Sequence, residues 1–273
     1  MLIELHCHST ASDGEDSPSA VGQRAAARGV ALFALTDHDS CRGSDDAQVP
    51  GARMVRGVEL SCDDEGRTVH ILAYDRGGPW QQMLARLEDV REARRRRFRV
   101  MVARLEQRGV KVNGEAILEA AGERAVGRPD LARAMVASGT ASSFRDAFRR
   151  HLFDNGPVDV AHRELPLPEA LALGRACGAG MALAHPHLYG DHGELLLRRH
   201  RDDGLTAVEA FYGAYDHQER NHWVEVARHL GLVCTAGSDY HKPGDPLPGV
   251  ELPAKYVDPL LAWLSATSAA CAT

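Results

Sequence analysis

Leu2-Ile3-Glu4-Leu5-His6-Cys7-His8-Ser9 opens the chain with a short apolar run that ends in two histidines one residue apart. In an extended strand, side chains alternate between faces, so His6 and His8 share one face and Cys7 points to the other. Two imidazoles side by side at a strand end can reach one cation. Cys7, turned away from them, reads as a small core residue, the usual fate of a free thiol. The same one-residue spacing returns late in the chain, in Ala236-Gly237-Ser238-Asp239-Tyr240-His241.

Between these clusters, more imidazoles and carboxylates sit beside short apolar runs. Asp13 lies in the loop Ser12-Asp13-Gly14, where glycine allows a sharp turn. His38 follows the run 31–36, Glu59 ends 53–61, His70 belongs to 68–74 and His185 follows 180–184. With His6, His8, Asp13, Asp239 and His241 these make nine potential metal ligands. Parallel α/β proteins place their chemistry at strand ends of this kind. Mixed imidazole and carboxylate donors suit manganese, iron and zinc better than calcium or magnesium. One ion takes about four to six ligands, so the set implies two or three divalent ions. Manganese is the expected metal, with iron and zinc as alternatives. A centre with several metals is suited to hydrolysing phosphate esters. The remaining histidines (His151, His162, His187, His192, His200, His217, His222 and His229) read as structural or solvated.

A chain of 273 residues with 44% hydrophobic content can build one large α/β barrel or two smaller domains. The net charge of -6 argues against a general coat of nucleic acid. Cys7, Cys41, Cys62, Cys177, Cys234 and Cys271 form no C-x-x-C pair and read as reduced thiols of a cytoplasmic protein. No signal peptide is visible, and no apolar run approaches the roughly 20 residues of a membrane span.

Strands are expected over 2–8, 31–36, 53–61 and 68–74, with a helix from Ser17-Pro18 to Arg28. From 80 to 157 strand signals vanish, and helices are expected over 80–108, 114–121, 129–137 and 143–152. Alternation then resumes: helix 168–177, strand 180–184, strand 205–211, helix 217–230, strand 232–236. Alternating units predict a parallel sheet or barrel over 1–79 and 158–273, with 80–157 as a helical insertion or cap over its open end.

The ordered set resembles the PHP family, named for polymerase and histidinol phosphatase domains. The residues that carry the resemblance are His6 and His8, Asp13, Thr36-Asp37-His38, Glu59, His70, Ala184-His185-Pro186 and Ser238-Asp239-Tyr240-His241. The resemblance implies a distorted (β/α)7 barrel with metals at the C-terminal strand ends. It also implies a division of ligands. His6, His8, Glu59 and Asp239 would hold one ion. Glu59, His70 and His185 would hold a second, with Glu59 bridging. Asp13, His38 and His241 would hold a third. Some relatives carry His where Asp13 stands, which suggests a weaker third site or a harder metal there.

The expected reaction is in-line attack of a metal-bound hydroxide on a phosphomonoester. Asp37, Asp39 and His187 are candidates for protonating the leaving oxygen. The run Arg91-Glu92-Ala93-Arg94-Arg95-Arg96-Arg97-Phe98-Arg99 lies in one long helix. Leu84, Leu87, Val90, Met101, Val102 and Leu105 mark its apolar stripe; Arg94 falls inside the stripe, with Arg91 at its edge and Arg97 close by. An inward arginine calls for an anionic partner, and phosphate fits its fork. Gly127-Arg128-Pro129-Asp130 opens another helix, where Arg128 and the helix N-terminus could hold an anion.

These segments resemble a PHP subgroup that removes the 3′-phosphate from nucleoside 3′,5′-bisphosphates and in some members trims short RNA from the 5′ end. Arg94 and Arg128 would then read the substrate's other phosphate. Asp130 departs from the subgroup's usual His. The implied partner is a small phosphorylated molecule, a nucleotide, with short RNA or DNA as the alternative substrate and no membrane; the oligomeric state stays open. Aromatic residues are 5% of the chain, few for stacking single strands. A scaffolding module would lack ligands, and none is missing. A histidinol-phosphate phosphatase is the further alternative, with the helical segment speaking mildly against it.

Overall fold

The computed structural model describes residues 1–122, 124–153, 155–160 and 164–266; His162 and Cys271 lie outside them. The chain divides into two units, Met1–Arg86 with Glu164–Thr273 and Leu87–Arg163. The first part contains β1 (Leu2–Glu4), α1 (Pro18–Ala27), β2 (Leu32–Phe33), β3 (Arg53–Met54), β4 (Gly57–Asp64) and β5 (Arg67–Tyr74). The long helix α2 (Gln81–Gln107) follows, then α3 (Gly114–Ala121), α4 (Arg128–Ala137) and α5 (Phe144–Ala147), which continues as a π turn over Phe148–Leu152. Alternation resumes with β6 (Leu165–Pro166), α6 (Leu167–Ala176), β7 (Gly180–Leu183), α7 (Asp191–His200) and β8 (Leu205–Tyr212). The chain ends in α8 (His217–Leu230), β9 (Val233–Gly237), β10 (Val250–Glu251) and α9 (Ala254–Ser265). Among the described residues no helix is long and apolar enough to cross a membrane.

Two sheets build the first unit, in the orders β10-β1-β2-β3 and β6-β4-β5-β7-β8-β9. Backbone hydrogen bonds run between them on both flanks. On one flank Leu5 donates to Ala236 at 3.0 Å, Asp239 to His6 at 2.7 Å and His8 to Tyr240 at 2.8 Å. On the other, Asp39 donates to Glu59 at 2.9 Å.

The sheets are mixed, which corrects the expectation of parallel strands throughout. β5 runs antiparallel to both β4 and β7. The cause is a tight hairpin at Glu65-Gly66, both with positive φ (53° and 86°), as a two-residue turn demands. The expected strand 53–61 is two strands, because the chain passes from one sheet to the other at Val55-Arg56. Glu59 therefore lies inside β4 rather than at its end. The hairpin register puts His70 opposite Ser61 and Leu72 opposite Glu59, so Glu59 and His70 are diagonal neighbours on one face. The C-terminal β10 and α9 were not among the expected elements.

Cys7 packs as expected, on the face away from the histidines, among Val21, Ala25, Phe33, Leu35 and Tyr240. Cys7, Cys41, Cys62, Cys177 and Cys234 are free and buried.

The second unit has its own core of Phe98, Met101, Leu105, Leu118, Leu131 and Met135. Leu84, expected on the buried stripe of α2, is 42% exposed, and Met83 is buried instead. Several arginines of α2 tie this unit together. Arg97 pairs with Asp159 at 3.0 Å and donates to the Val160 carbonyl at 2.6 Å, and Arg95 donates to the Gly122 carbonyl at 2.7 Å. Asp130 accepts from Gly127 N at 2.9 Å at the start of α4 and pairs with Arg124 at 2.6 Å and Arg133 at 3.2 Å. Its charge is thus offset by two guanidinium groups.

Glu4 is fully buried and joins three segments: its carboxylate accepts from His6 N (2.9 Å), Ser238 N (3.0 Å) and Gly249 N (2.6 Å). Burial outweighs these bonds and pushes its pKa up to about 7. Glu4→Ala strands three buried donors, and a loss of about 3 kcal/mol is expected; urea unfolding measures it, and a change below about 1 kcal/mol would contradict this role.

Candidate metal centre

All nine predicted ligands converge, around Glu59. Its Oε2 lies 3.3 Å from His6 Nε2, 3.1 Å from His8 Nε2 and 3.2 Å from His38 Nδ1. Its Oε1 lies 3.1 Å from His70 Nδ1 and 3.0 Å from His185 Nε2. Asp239 Oδ1 completes the first group at 3.4 Å from His6 and 3.2 Å from His8. Asp13 sits between His8, His38 and His241, at 3.7, 3.8 and 3.5 Å. The Asp13 side chain is 50% exposed, whereas that of Glu59 is 1% exposed.

Local structure explains each placement. Strand alternation aims His6 and His8 together. Asp37, in Thr36-Asp37-His38, accepts from Ser9 N (2.8 Å), Ser9 Oγ (2.8 Å) and Ser12 Oγ (2.6 Å), fixing the loop that carries Asp13. Gly14 is needed there for close approach: a Cβ would come within 2.8 Å of the Ser9 backbone. Asp39, His185 and Asp239 adopt positive φ of 50°, 28° and 55°. Such non-glycine conformations cost about 1–3 kcal/mol each and gather where surrounding structure over-determines them. Here two of the three are predicted ligands and the third follows His38.

The donor set fits divalent cations. Donors held about 2.1 Å from one ion lie roughly 3.0–3.4 Å from each other in octahedral or tetrahedral geometry, the spacing around Glu59. His6 Nε2, both ring nitrogens of His8, His38 Nδ1 and Glu59 Oε2 are buried yet have no hydrogen-bond partner. They approach one another without pairing, so their lone pairs meet at shared points. Buried polar atoms left in this state are costly unless something else satisfies them. Four groups have donor atoms within 4.8 Å of one another: His8-Asp13-His38-His241, His6-His8-Glu59, His6-His185-Asp239 and His38-Glu59-His70.

The electrostatics agree. Burial alone would strip the proton from His6, but Glu209, Glu59 and Asp239 outweigh it and hold its pKa well above the histidine range. Burial likewise opposes charge on His8, yet Asp239 and Glu59 raise it to about 10. For His38 burial prevails and takes the value down to about 4. Burial would raise Glu59, but His38, His6 and His70 keep it well below the carboxylate range. Cations between the same groups would replace these protons, so metal loading is expected to release protons and to weaken as pH falls.

Several site residues were not predicted. Glu209 lies within 3.0 and 3.1 Å of His6 Nδ1 and accepts from His185 N at 2.7 Å. Tyr212 donates to Asp239 Oδ2 at 2.9 Å. Tyr189 Oη accepts from His70 N at 2.9 Å and lies 3.3 Å from His185 Nδ1. The legible signal was a single acid in the apolar run Leu205-Thr206-Ala207-Val208-Glu209-Ala210-Phe211. Of the three candidate proton donors, Asp37 and Asp39 are buried and serve the backbone, Asp39 by accepting from Ser61 N at 2.9 Å. His187 is half-buried, with Nδ1 3.1 Å from Tyr215 Oη and its ring 5.0 Å from Tyr212. Arg128, in the second unit, donates to the Leu152 carbonyl at 3.3 Å, and its guanidinium lies over the Phe148 ring at 5.9 Å. Arg94 is half-buried on the stripe between Leu87 and Phe98.

Metal content separates these groups. Asp13→Asn is expected to lose one metal equivalent and keep the others, because its group is the most exposed. Glu59→Gln is expected to lose at least two. Elemental analysis after gel filtration measures both; full loading of Glu59→Gln would exclude a bridging carboxylate.

No protein-family model matches the chain. The 3',5'-nucleoside bisphosphate phosphatase of Chromobacterium violaceum is 33% identical over 252 residues, covering 89% of this chain and 88% of that one. A 5'-3' exoribonuclease of Haemophilus influenzae is 31% identical over 250 residues, covering 88% and 90%. A structure from Chromobacterium violaceum described as an amidohydrolase, with bound sulfate and no metal, superposes with a TM-score of 0.78 at 31% identity, over 96% of both chains. One from Bifidobacterium adolescentis, described as a metal-dependent phosphoesterase, gives 0.78 at 25% identity over 95% of both. The chain is a hydrolase and belongs to the family of metal-dependent phosphoesterases that includes the Chromobacterium violaceum phosphatase.

Proposed function

We propose that this enzyme removes the 3′-phosphate from nucleoside 3′,5′-bisphosphates, giving the nucleoside 5′-monophosphate and phosphate. The observation that carries the reading is the buried Glu59, with unpaired ring nitrogens of His6, His8 and His38 converging on Oε2 and with His70 and His185 within 3.1 Å of Oε1. Similarity to the Chromobacterium violaceum phosphatase supports the substrate class. In this reading the fold is the distorted (β/α)7 barrel of the PHP family, and the hydrogen bonds on both flanks of the two sheets support its closure. The helical segment 80–157 is its insertion, a unit with a core of its own. The five buried thiols fit a reducing, cytoplasmic setting.

His6, His8, Glu59 and Asp239 would hold one ion, Glu59, His70 and His185 a second, and Asp13, His38 and His241 a third. Manganese is the metal of choice for this mixture of imidazole and carboxylate, with iron or zinc next. When bound, such ions lower the pKa of water and neutralise phosphate charge. Tyr212 orients Asp239, and Tyr189 orients His185. His187 protonates the leaving oxygen, since Asp37 and Asp39 are engaged elsewhere. Arg94 and Arg128 read the phosphate that is not cleaved.

The test is phosphate release by manganese-loaded protein from adenosine 3′,5′-bisphosphate, beside a 5′-phosphorylated RNA dinucleotide, with Asp239→Ala as control. Release of the 3′-phosphate that Asp239→Ala abolishes is the expected result. Cleavage of the dinucleotide alone would make the enzyme an exonuclease, the activity named for the Haemophilus influenzae relative. Arg94→Ala and Arg128→Ala are each expected to raise KM about 10–100-fold, the value of one charge-assisted bond. His187→Gln is expected to lower kcat about 100-fold with metal content unchanged. Unaltered kinetics in these variants would remove the corresponding role.

A further inference from the structure

We propose that Glu209 is a positioning residue that sets the donors of two ion sites at once, through His6 on one side of Glu59 and His185 on the other. The proposal rests on the metal reading above.

Glu209 is fully buried in β8, a strand otherwise apolar around it. An acid in that setting needs a full set of donors. Both of its oxygens lie within hydrogen-bond reach of His6 Nδ1, at 3.0 and 3.1 Å, and Oε2 also accepts from His185 N at 2.7 Å. A carboxylate oxygen accepts, so the hydrogen of His6 sits on Nδ1. Nε2 then keeps its lone pair, and it is Nε2 that faces Glu59 Oε2 at 3.3 Å and Asp239 Oδ1 at 3.4 Å. On the other side, the bond to His185 N holds a residue whose φ of 28° and ψ of 59° are otherwise strained. That conformation brings His185 Nε2 to 3.0 Å from Glu59 Oε1.

Two further features are arranged around this carboxylate. The pairing of β8 with β9 shifts register between Glu209 and Phe211. Such irregularities re-aim side chains beside active sites. Gly237, on β9, leaves the space that the pair needs. A Cβ there would collide with the His6 Cβ and come within 2.8 Å of Glu209 Oε1. Among the described residues no hydrogen bond joins Asp13, His38 or His241 to Glu209, whose bonds go to His6 and His185, so the third group should be indifferent to its loss.

Glu209→Gln keeps the shape. It removes the charge, and the NH2 that replaces one oxygen turns a donor toward His6 Nδ1–H or His185 N–H, where the carboxylate offered only acceptors. Outer carboxylates that orient ligating histidines are worth roughly 10–100-fold in metal affinity. Calorimetric titration of the apo wild type and Glu209→Gln with Mn²⁺ is the first measurement, together with the Tm of both in chelator. Expected is a 10–100-fold loss of affinity at two sites, an apo Tm within a few degrees of wild type, and kcat restored by excess Mn²⁺. Unchanged affinities with a lowered apo Tm would reduce Glu209 to a structural role and overturn the proposal. Weakening of a single site would overturn the coupling. If the wild type itself binds no Mn²⁺, Fe²⁺ or Zn²⁺, the metal reading fails, and this proposal with it. A second measurement does not depend on the variant folding. In Zn²⁺-loaded wild type, nitrogen-15 NMR should find His6 protonated at Nδ1 and bare at Nε2. The opposite tautomer overturns the proposal.

Discussion

The structure is organised by one carboxylate. Glu59 sits at the centre of the cluster, out of contact with water, with five imidazole nitrogens within 3.3 Å of its two oxygens. Neutral imidazoles with converging lone pairs cannot satisfy a buried anion, and several protonated ones crowded together repel each other. Cations between carboxylate and rings would resolve both difficulties, accepting the converging lone pairs and carrying the charge that burial otherwise disfavours. The rest of the first unit serves to bring donors from separate strands to this one group.

Much of that arrangement opposes local preference. Asp39, His185 and Asp239 hold left-handed backbone without being glycine. Buried acids, Glu4, Asp37 and Glu209, each accept several hydrogen bonds, and none of the three is among the predicted ligands. They act on the ligands through the backbone or through a ring nitrogen. Conformations of this kind persist because neighbouring structure leaves no alternative. The strain therefore marks how firmly the donors are placed before any ion arrives, which favours selective and tight loading.

What the sequence revealed follows from which physics is periodic. His6 and His8 were legible because strand alternation assigns faces without further information. Asp239 and His241 repeat the spacing, and their order along the chain with His38, His70 and His185 pointed to one set. The β4–β5 hairpin was hidden because Glu65-Gly66 lacks the Asn or Asp that usually announces such a turn. That concealed the reversal of β5 and the true place of Glu59 inside a strand. Glu209 was passed over because a lone acid in an apolar run reads as an interruption, whereas here it is the partner of two histidines. The helix α9 carries Pro259 in its interior, which weakens any helical pattern read from sequence. In the long helix α2 the stripe held at Leu87, Met101, Val102 and Leu105, and only its first member was misplaced, since Met83 rather than Leu84 is buried.

The central claim is that Glu59 bridges two cations in a phosphoesterase centre. Anomalous diffraction from a crystal of the manganese-loaded protein, collected on both sides of the manganese absorption edge, tests it most directly. The expected result is two strong peaks, one beside each oxygen of Glu59: the first among His6, His8 and Asp239, the second between His70 and His185. A weaker third peak is expected beside Asp13. A single peak remote from Glu59, or none in a crystal whose solution counterpart hydrolyses phosphate esters, would contradict it.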